Sequence, residues 1–154
     1  MHLISLENFH DNPGEDSSKA RIFQWKIKKE KLKITHSKVM KENIILDKTM
    51  SFSLDCIKVY KQLQSDWEYV ISKQLLRSAT SIGANIREAT AGQSKKDFYA
   101  KVCISFKESY ETLYWIELLE KWGLANIDLS ELKNKCDEII KILAKIKLST
   151  ESNL

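Results

Sequence analysis

Histidine is nearly missing from this 154-residue chain: His2, His10 and His36 are the full set. Everything after position 36 therefore lacks an imidazole for acid–base work or for metal binding. Proline occurs once, at Pro13, and glycine only at Gly14, Gly83, Gly92 and Gly123. Glycines so far apart form neither a phosphate-cradling loop nor a nucleophile elbow, and no proline interrupts a helix beyond residue 13. The three cysteines, Cys56, Cys103 and Cys136, never pair as Cys-x-x-Cys. An odd, scattered set on apolar positions reads as reduced, buried thiols in a reducing compartment. No apolar run approaches the ~18 residues of a membrane span, and Met1-His2-Leu3-Ile4-Ser5 lacks the charged start and apolar stretch of a signal peptide. A cytoplasmic protein with no membrane partner is expected.

What is present is 43% hydrophobic and 30% charged, with a formal net charge of +4. That charge is unevenly placed: residues 1–39 hold 8 basic and 5 acidic side chains, leaving 17 and 16 for residues 40–154. The excess lies in a leader of little periodicity, particularly from Arg21 to Lys38, where Arg21, Lys26, Lys28, Lys29, Lys31, Lys33 and Lys38 face Glu30 alone. A basic arm of this kind can bind nucleic acid, but like charges repel, so its plainer reading is a disordered, solvated leader over 1–39.

From residue 40 onward the apolar spacing is helical. Phe52, Cys56, Val59 and Leu63 predict a helix at about 43–65, and Ile71, Leu75, Ser78, Ile82, Asn85 and Ala89 a second at about 67–90. Small residues around Gly83 would let a neighbouring helix approach closely, offsetting the ~1 kcal/mol cost of a mid-helix glycine. Ser94-Lys95-Lys96-Asp97 reads as a capping box opening a third helix at about 94–122, which Gly123 ends. It carries two stripes, Phe98, Val102, Ser105, Ser109, Ile116 and Leu119, then Cys103, Phe106, Tyr110, Leu113 and Tyr114. So wide an apolar arc is expected to touch more than its own bundle. Asp128-Leu129-Ser130-Glu131 reads as another capping box before a fourth helix at about 128–148. Short connections favour antiparallel neighbours, so the fold class is all-α, an antiparallel up-down-up-down four-helix bundle over 40–154.

The bundle lacks the Glu-x-x-His pairs of a di-iron site, so no metal, cofactor or enzymatic activity is expected. A polar cluster, Arg77, Asn85, Glu88, Glu108 and Glu111, could be a carboxylate site. Its structural reading is an ion pair from Arg77 to Glu108 or Glu111, with Asn85 hydrogen-bonding in the core to fix register. Arg87, Lys95, Lys96 and Lys101 gather near the positive end of the third helix and are the candidate nucleic-acid contacts. Trp67, Tyr69, Tyr99, Tyr114, Trp115 and Trp122 exceed what the four stripes need and suggest an oligomer or partner surface.

The run Ser72-Lys73-Gln74-Leu75-Leu76-Arg77-Ser78-Ala79-Thr80-Ser81-Ile82-Gly83-Ala84-Asn85-Ile86-Arg87-Glu88-Ala89, with Gly92 to Phe98 and Lys107 to Trp115, resembles the bacterial four-helix-bundle family also called the ribosomal RNA intervening-sequence protein. The resemblance extends from Met40 to about Leu148. Some members are encoded within insertions in large-subunit ribosomal RNA genes. A related group is the accessory variability protein of diversity-generating retroelements, a basic pentamer that works with a reverse transcriptase and RNA. In the commonest pattern, glycine follows Asn-Ile-x-Glu and a Gly-Ser pair marks the third helix, whereas Ala89 and Lys107-Glu108 stand here. The resemblance implies a homopentamer without catalysis, and a natural start at Met40. The expected function is a non-catalytic, self-associating binding or scaffold protein serving RNA, DNA or a ribonucleoprotein; the alternative is a protein–protein adaptor with no nucleic-acid role.

Overall fold

The structure is a computed structural model that describes residues 16–123 and 127–154, with the side chains of 16–20 and 31–43 left aside. Expectations resting on His2, His10, Pro13 and the side chains of His36 and Met40 lie outside the described residues. The described chain is all-α: α1 (Asp16–Ser65), α2 (Ile71–Thr90), α3 (Lys95–Trp122) and α4 (Ser130–Glu151). It divides into two units, Met1–Met40 and Lys41–Leu154.

In the first unit, residues 16–40 are helical rather than irregular. Between Asp16 and Ser65 there is neither proline nor glycine, so nothing terminates the helix. Periodicity missed it because Ile22, Phe23 and Trp25 are exposed beside lysines instead of forming one buried stripe. The Lys29 ammonium lies over the Trp25 ring, 4.6 Å from its centre.

The second unit is a helical bundle around one core. Ile45, Phe52, Cys56 and Leu63 of α1 meet Leu75, Ile82 and Ile86 of α2, Val102, Ile116 and Leu119 of α3, and Leu132, Cys136, Ile139 and Leu143 of α4. Each large aliphatic side chain withdrawn from water contributes roughly 1.5–3 kcal/mol before entropy is counted. Where α2 and α3 meet, the filling is small and hydroxylated: Ser78, Ala79, Ser105, Ser109 and Thr112 are buried. Their polar atoms are satisfied locally or across the seam, as in the 3.0 Å donation from Ser105 Oγ to Ile82 O.

Three helix boundaries follow from capping chemistry. α2 starts at Ile71, not 67, because the buried Glu68 carboxylate accepts from the amides of Val70, Ile71 and Ser72 at 2.9, 2.7 and 2.6 Å. At α3, Ser94 Oγ accepts from the Asp97 amide at 3.1 Å, while Asp97 Oδ2 accepts from the Gln93 amide at 3.2 Å. Gly123, at φ 65°, closes this helix in the left-handed conformation. The capping box expected at Asp128-Glu131 is not formed. Leu129 turns into the core, Asp128 Oδ1 accepts from the Ser130 amide at 2.9 Å, and Glu131 pairs with Lys135 at 2.7 Å.

Candidate functional site

The candidate residues fall at several separate places on the Lys41–Leu154 unit. At the end of α2 and the start of α3, the side chains of Arg87, Lys95 and Lys96 are exposed, and Lys95 Nζ reaches Asn153 O at 3.5 Å. Lys101 departs from this set: it forms an ion pair with Glu88, and that hydrogen bond raises its pKa. Among the described residues, the other three of the expected four, Arg87, Lys95 and Lys96, form no ion pair.

The polar residues do not converge on one site. Arg77 pairs with Glu111, whose Oε1 also accepts from Trp115 Nε1 at 3.3 Å. Glu108 takes no part in that pair, and its Oε2 is enclosed without a hydrogen-bond partner among the described residues. Asn85 is half-buried and donates to Ser81 O of its own helix at 2.9 Å, which corrects the expectation that it hydrogen-bonds in the core to fix register. The reason is proximity: Ser81 lies one turn below and offers two acceptors. Glu88–Lys101 and Arg77–Glu111 are thus separate clasps between α2 and α3, about three turns apart. Among the described residues, no group of three or more His, Cys, Asp or Glu is placed to hold a metal ion.

The thiols divide as well. Cys56 and Cys136 are fully buried, and burial pushes both pKa values up, Cys136 to about 12. Cys103 is only partly buried, contrary to the expected set of three enclosed thiols.

The aromatic residues are spread along the unit. Trp67 is 82% exposed in the α1–α2 turn with φ 65°, edge-on to Tyr69 at 6.4 Å. Trp122 is exposed at the end of α3. Burial, with hydrogen bonds to Cys103 and Glu151, pushes the pKa of Tyr99 up to about 12. Tyr114 packs edge-on against the partly buried Trp115 at 4.9 Å. Tyr110, which belongs to the same exposed row, packs edge-on against Phe106 at 5.1 Å.

Sequence reading missed a groove between α1 and α2, about 370 Å³ in volume and open to one side. Leu46, Met50, Leu54 and Ile57 of α1 line it with Gly83, Ala84 and Arg87 of α2. Apolar residues of α1 beyond the four-residue stripe, set opposite small residues of α2, were its signal in the sequence.

Comparison with known families decides kinship. The model of the family described as 23S rRNA-intervening sequence protein matches residues 41–145. The chain belongs to this family. The matched segment begins at the first residue of the bundle unit. A similar solved structure is the crystal structure of a protein with unknown function from the S23 ribosomal protein family of Bacteroides thetaiotaomicron. It is 43% identical, with a TM-score of 0.67, over 70% of this chain and 97% of that one. Comparison with curated proteins finds no match. No helix among the described residues is long and apolar enough to cross a membrane.

Proposed function

We propose that this family member is a non-catalytic scaffold that assembles from copies of itself in the cytoplasm, with the bundle in up-down-up-down order. Support for that order comes from the contacts at each seam, where a later residue of one helix meets an earlier residue of the other. Arg77 and Glu88 meet Glu111 and Lys101; Lys48 and Asp55 meet Glu138 and Lys135. Thr49 and Ser53 lie beside Gly83 and Ala79.

The observation that carries self-association is the exposure of apolar and aromatic side chains on the bundle helices. Met50 and Leu54 are each 53% exposed on α1, and Tyr110 and Tyr114 are 53% and 55% exposed on α3. Leaving such surface in water forfeits the stabilisation that burial would supply. The family resemblance favours a homopentamer. Analytical ultracentrifugation of the whole chain at micromolar concentration tests this, and a mass five times the 17.9 kDa chain is expected. A single monomeric species would overturn it.

A second reading, accessory to RNA, DNA or a ribonucleoprotein, is favoured by one observation: Arg87, Lys95 and Lys96 remain exposed around the start of α3. Without that binding, the scaffold is a protein–protein adaptor.

A further inference from the structure

We infer that the α1–α2 groove receives the outer row of α3 from a second copy of this chain, so that each copy offers a groove on one seam and a ridge on another helix. This rests on the self-association proposed above and adds to it the contacting surfaces and their polarity.

The groove is built as an apolar receptor. Its hydroxyls are turned back onto the backbone: Thr49 Oγ1 donates to Ile45 O at 2.8 Å, Ser53 Oγ to Thr49 O at 2.8 Å, and Thr80 Oγ1 to Leu76 O at 2.8 Å. Few polar demands are therefore left along the floor, except at Arg87, whose guanidinium has no partner among the described residues. Gly83 forms part of the floor, yet packing inside the chain does not require a glycine there. A Cβ would sit 3.5 Å from Thr49, which is ordinary contact. The ~1 kcal/mol that a mid-helix glycine costs relative to alanine is not repaid within one copy. An entering helix ridge does call for such a low floor, since ridges pack into grooves where side chains are small.

The same chain carries a ridge of matching length. Phe106, Tyr110, Tyr114 and Glu117 recur at steps of four, four and three, which puts them along one side of α3. From Phe106 to Glu117 is 11 residues, as is Leu46 to Ile57 along the groove, so both run roughly 16 Å. Charge sets the direction. Arg87 lies by the Leu46 end of the groove, and Glu117 closes the Tyr114 end of the ridge. Glu117 has only a 3.4 Å contact to Lys133, whose shorter contact, 2.9 Å, goes to Glu120. Seating Tyr114 towards Leu46 brings Glu117 to Arg87, and the reverse seating leaves the guanidinium unpaired. A groove on one face and a ridge on another make a heterologous contact, which repeats from copy to copy until it closes on itself.

Sedimentation of the whole chain and of two exposed-site variants, Ala84→Glu in the groove and Tyr114→Glu on the ridge, tests the inference. Each variant alone is expected to lose assembly while keeping its helical circular dichroism, and Tyr114→Phe is expected to keep assembly. Mixed one to one, the two variants are expected to form a species of two chains, because one intact groove still meets one intact ridge. Arg87→Glu is expected to weaken assembly, and adding Glu117→Arg to restore it. Assembly of both variants as in the original chain would overturn this inference and leave self-association standing. So would loss from Ala84→Glu alone, which indicates groove against groove, or a mixture that stays monomeric. A failed charge swap would overturn the direction. If the unaltered chain is itself monomeric, the self-association reading falls, and this one falls with it.

Discussion

Ser78 Oγ and Thr112 Oγ1 lie 3.0 Å apart, fully buried where α2 meets α3. Ser78 also donates to Gln74 O at 3.0 Å, so it keeps a bond if its neighbour's hydroxyl is removed. Thr112→Val, which preserves shape, is expected to cost about 1 kcal/mol. Ser78→Leu forces a larger side chain into a seam with no room for it and is expected to cost roughly 1–3 kcal/mol. Denaturant unfolding at one fixed protein concentration measures both, since assembly makes apparent stability depend on concentration.

The Glu68 carboxylate sets the start of α2 through its three amide acceptances. Burial alone would raise its pKa, but the hydrogen bonds from Ile71, Ser72 and Val70 outweigh burial and hold it below the ordinary 4.5. A carboxyl with a lowered folded-state pKa contributes stability that is fully present above the unfolded value and lost as pH falls through the folded one. Glu68→Ala is expected to cost about 1–2 kcal/mol at neutral pH, the range of a lost helix cap. The gap between the two chains is expected to stay flat from neutral pH down to about 5 and to shrink below 4.5. Urea titrations across this pH range measure it, and a gap unchanged at acid pH would contradict the cap.

Only one thiol of three is expected to react readily in the native protein. Cys56 and Cys136 are enclosed, and burial keeps their thiolates scarce, whereas Cys103 is partly exposed. Thiol labelling at mildly alkaline pH, followed by peptide mass analysis, is expected to find Cys103 modified first and all three after denaturation. Equal rates in the folded protein would count against the buried pair.

If the cations at the start of α3 contact phosphate, binding must carry their number in its salt dependence. Lys95→Ala with Lys96→Ala is expected to lower the slope of log affinity against log salt by about 0.9 per lysine on duplex DNA, or about 0.7 on a single strand. Lys101→Ala is expected to leave that slope unchanged, because Glu88 already holds this lysine. Fluorescence anisotropy with a labelled RNA or DNA at several salt concentrations measures the slopes. The absence of any salt-sensitive binding by the whole chain would leave the adaptor reading.

Much of the bundle was legible in the sequence because a repeating buried face needs only local spacing to declare itself. Phe52, Cys56 and Leu63, Leu75, Ser78 and Ile82, Val102, Ser105 and Ile116, and Leu132, Cys136 and Leu143 are all buried as their stripes require. The helix over 16–40 was not legible, since its apolar residues Ile22, Phe23 and Trp25 are exposed beside lysines and mark no repeating buried face. Among the candidate residues, spacing put Arg77 near both Glu108 and Glu111, and only side-chain packing selected Glu111. Likewise, Lys101 looks like a free cation until Glu88 is seen across the α2–α3 seam.

By itself, then, the sequence determined the all-α character of the described residues, most of the positions that enter the bundle core, and an imidazole-free stretch beyond residue 36. These follow from composition and from the 3.6-residue period, which act within one segment at a time. Tertiary structure decided which charges are already paired, which thiol remains open, and that Leu46 to Ile57 and Gly83 to Arg87 enclose one groove. Those outcomes depend on the register between helices distant in sequence, which is fixed only when the side chains of all four pack together.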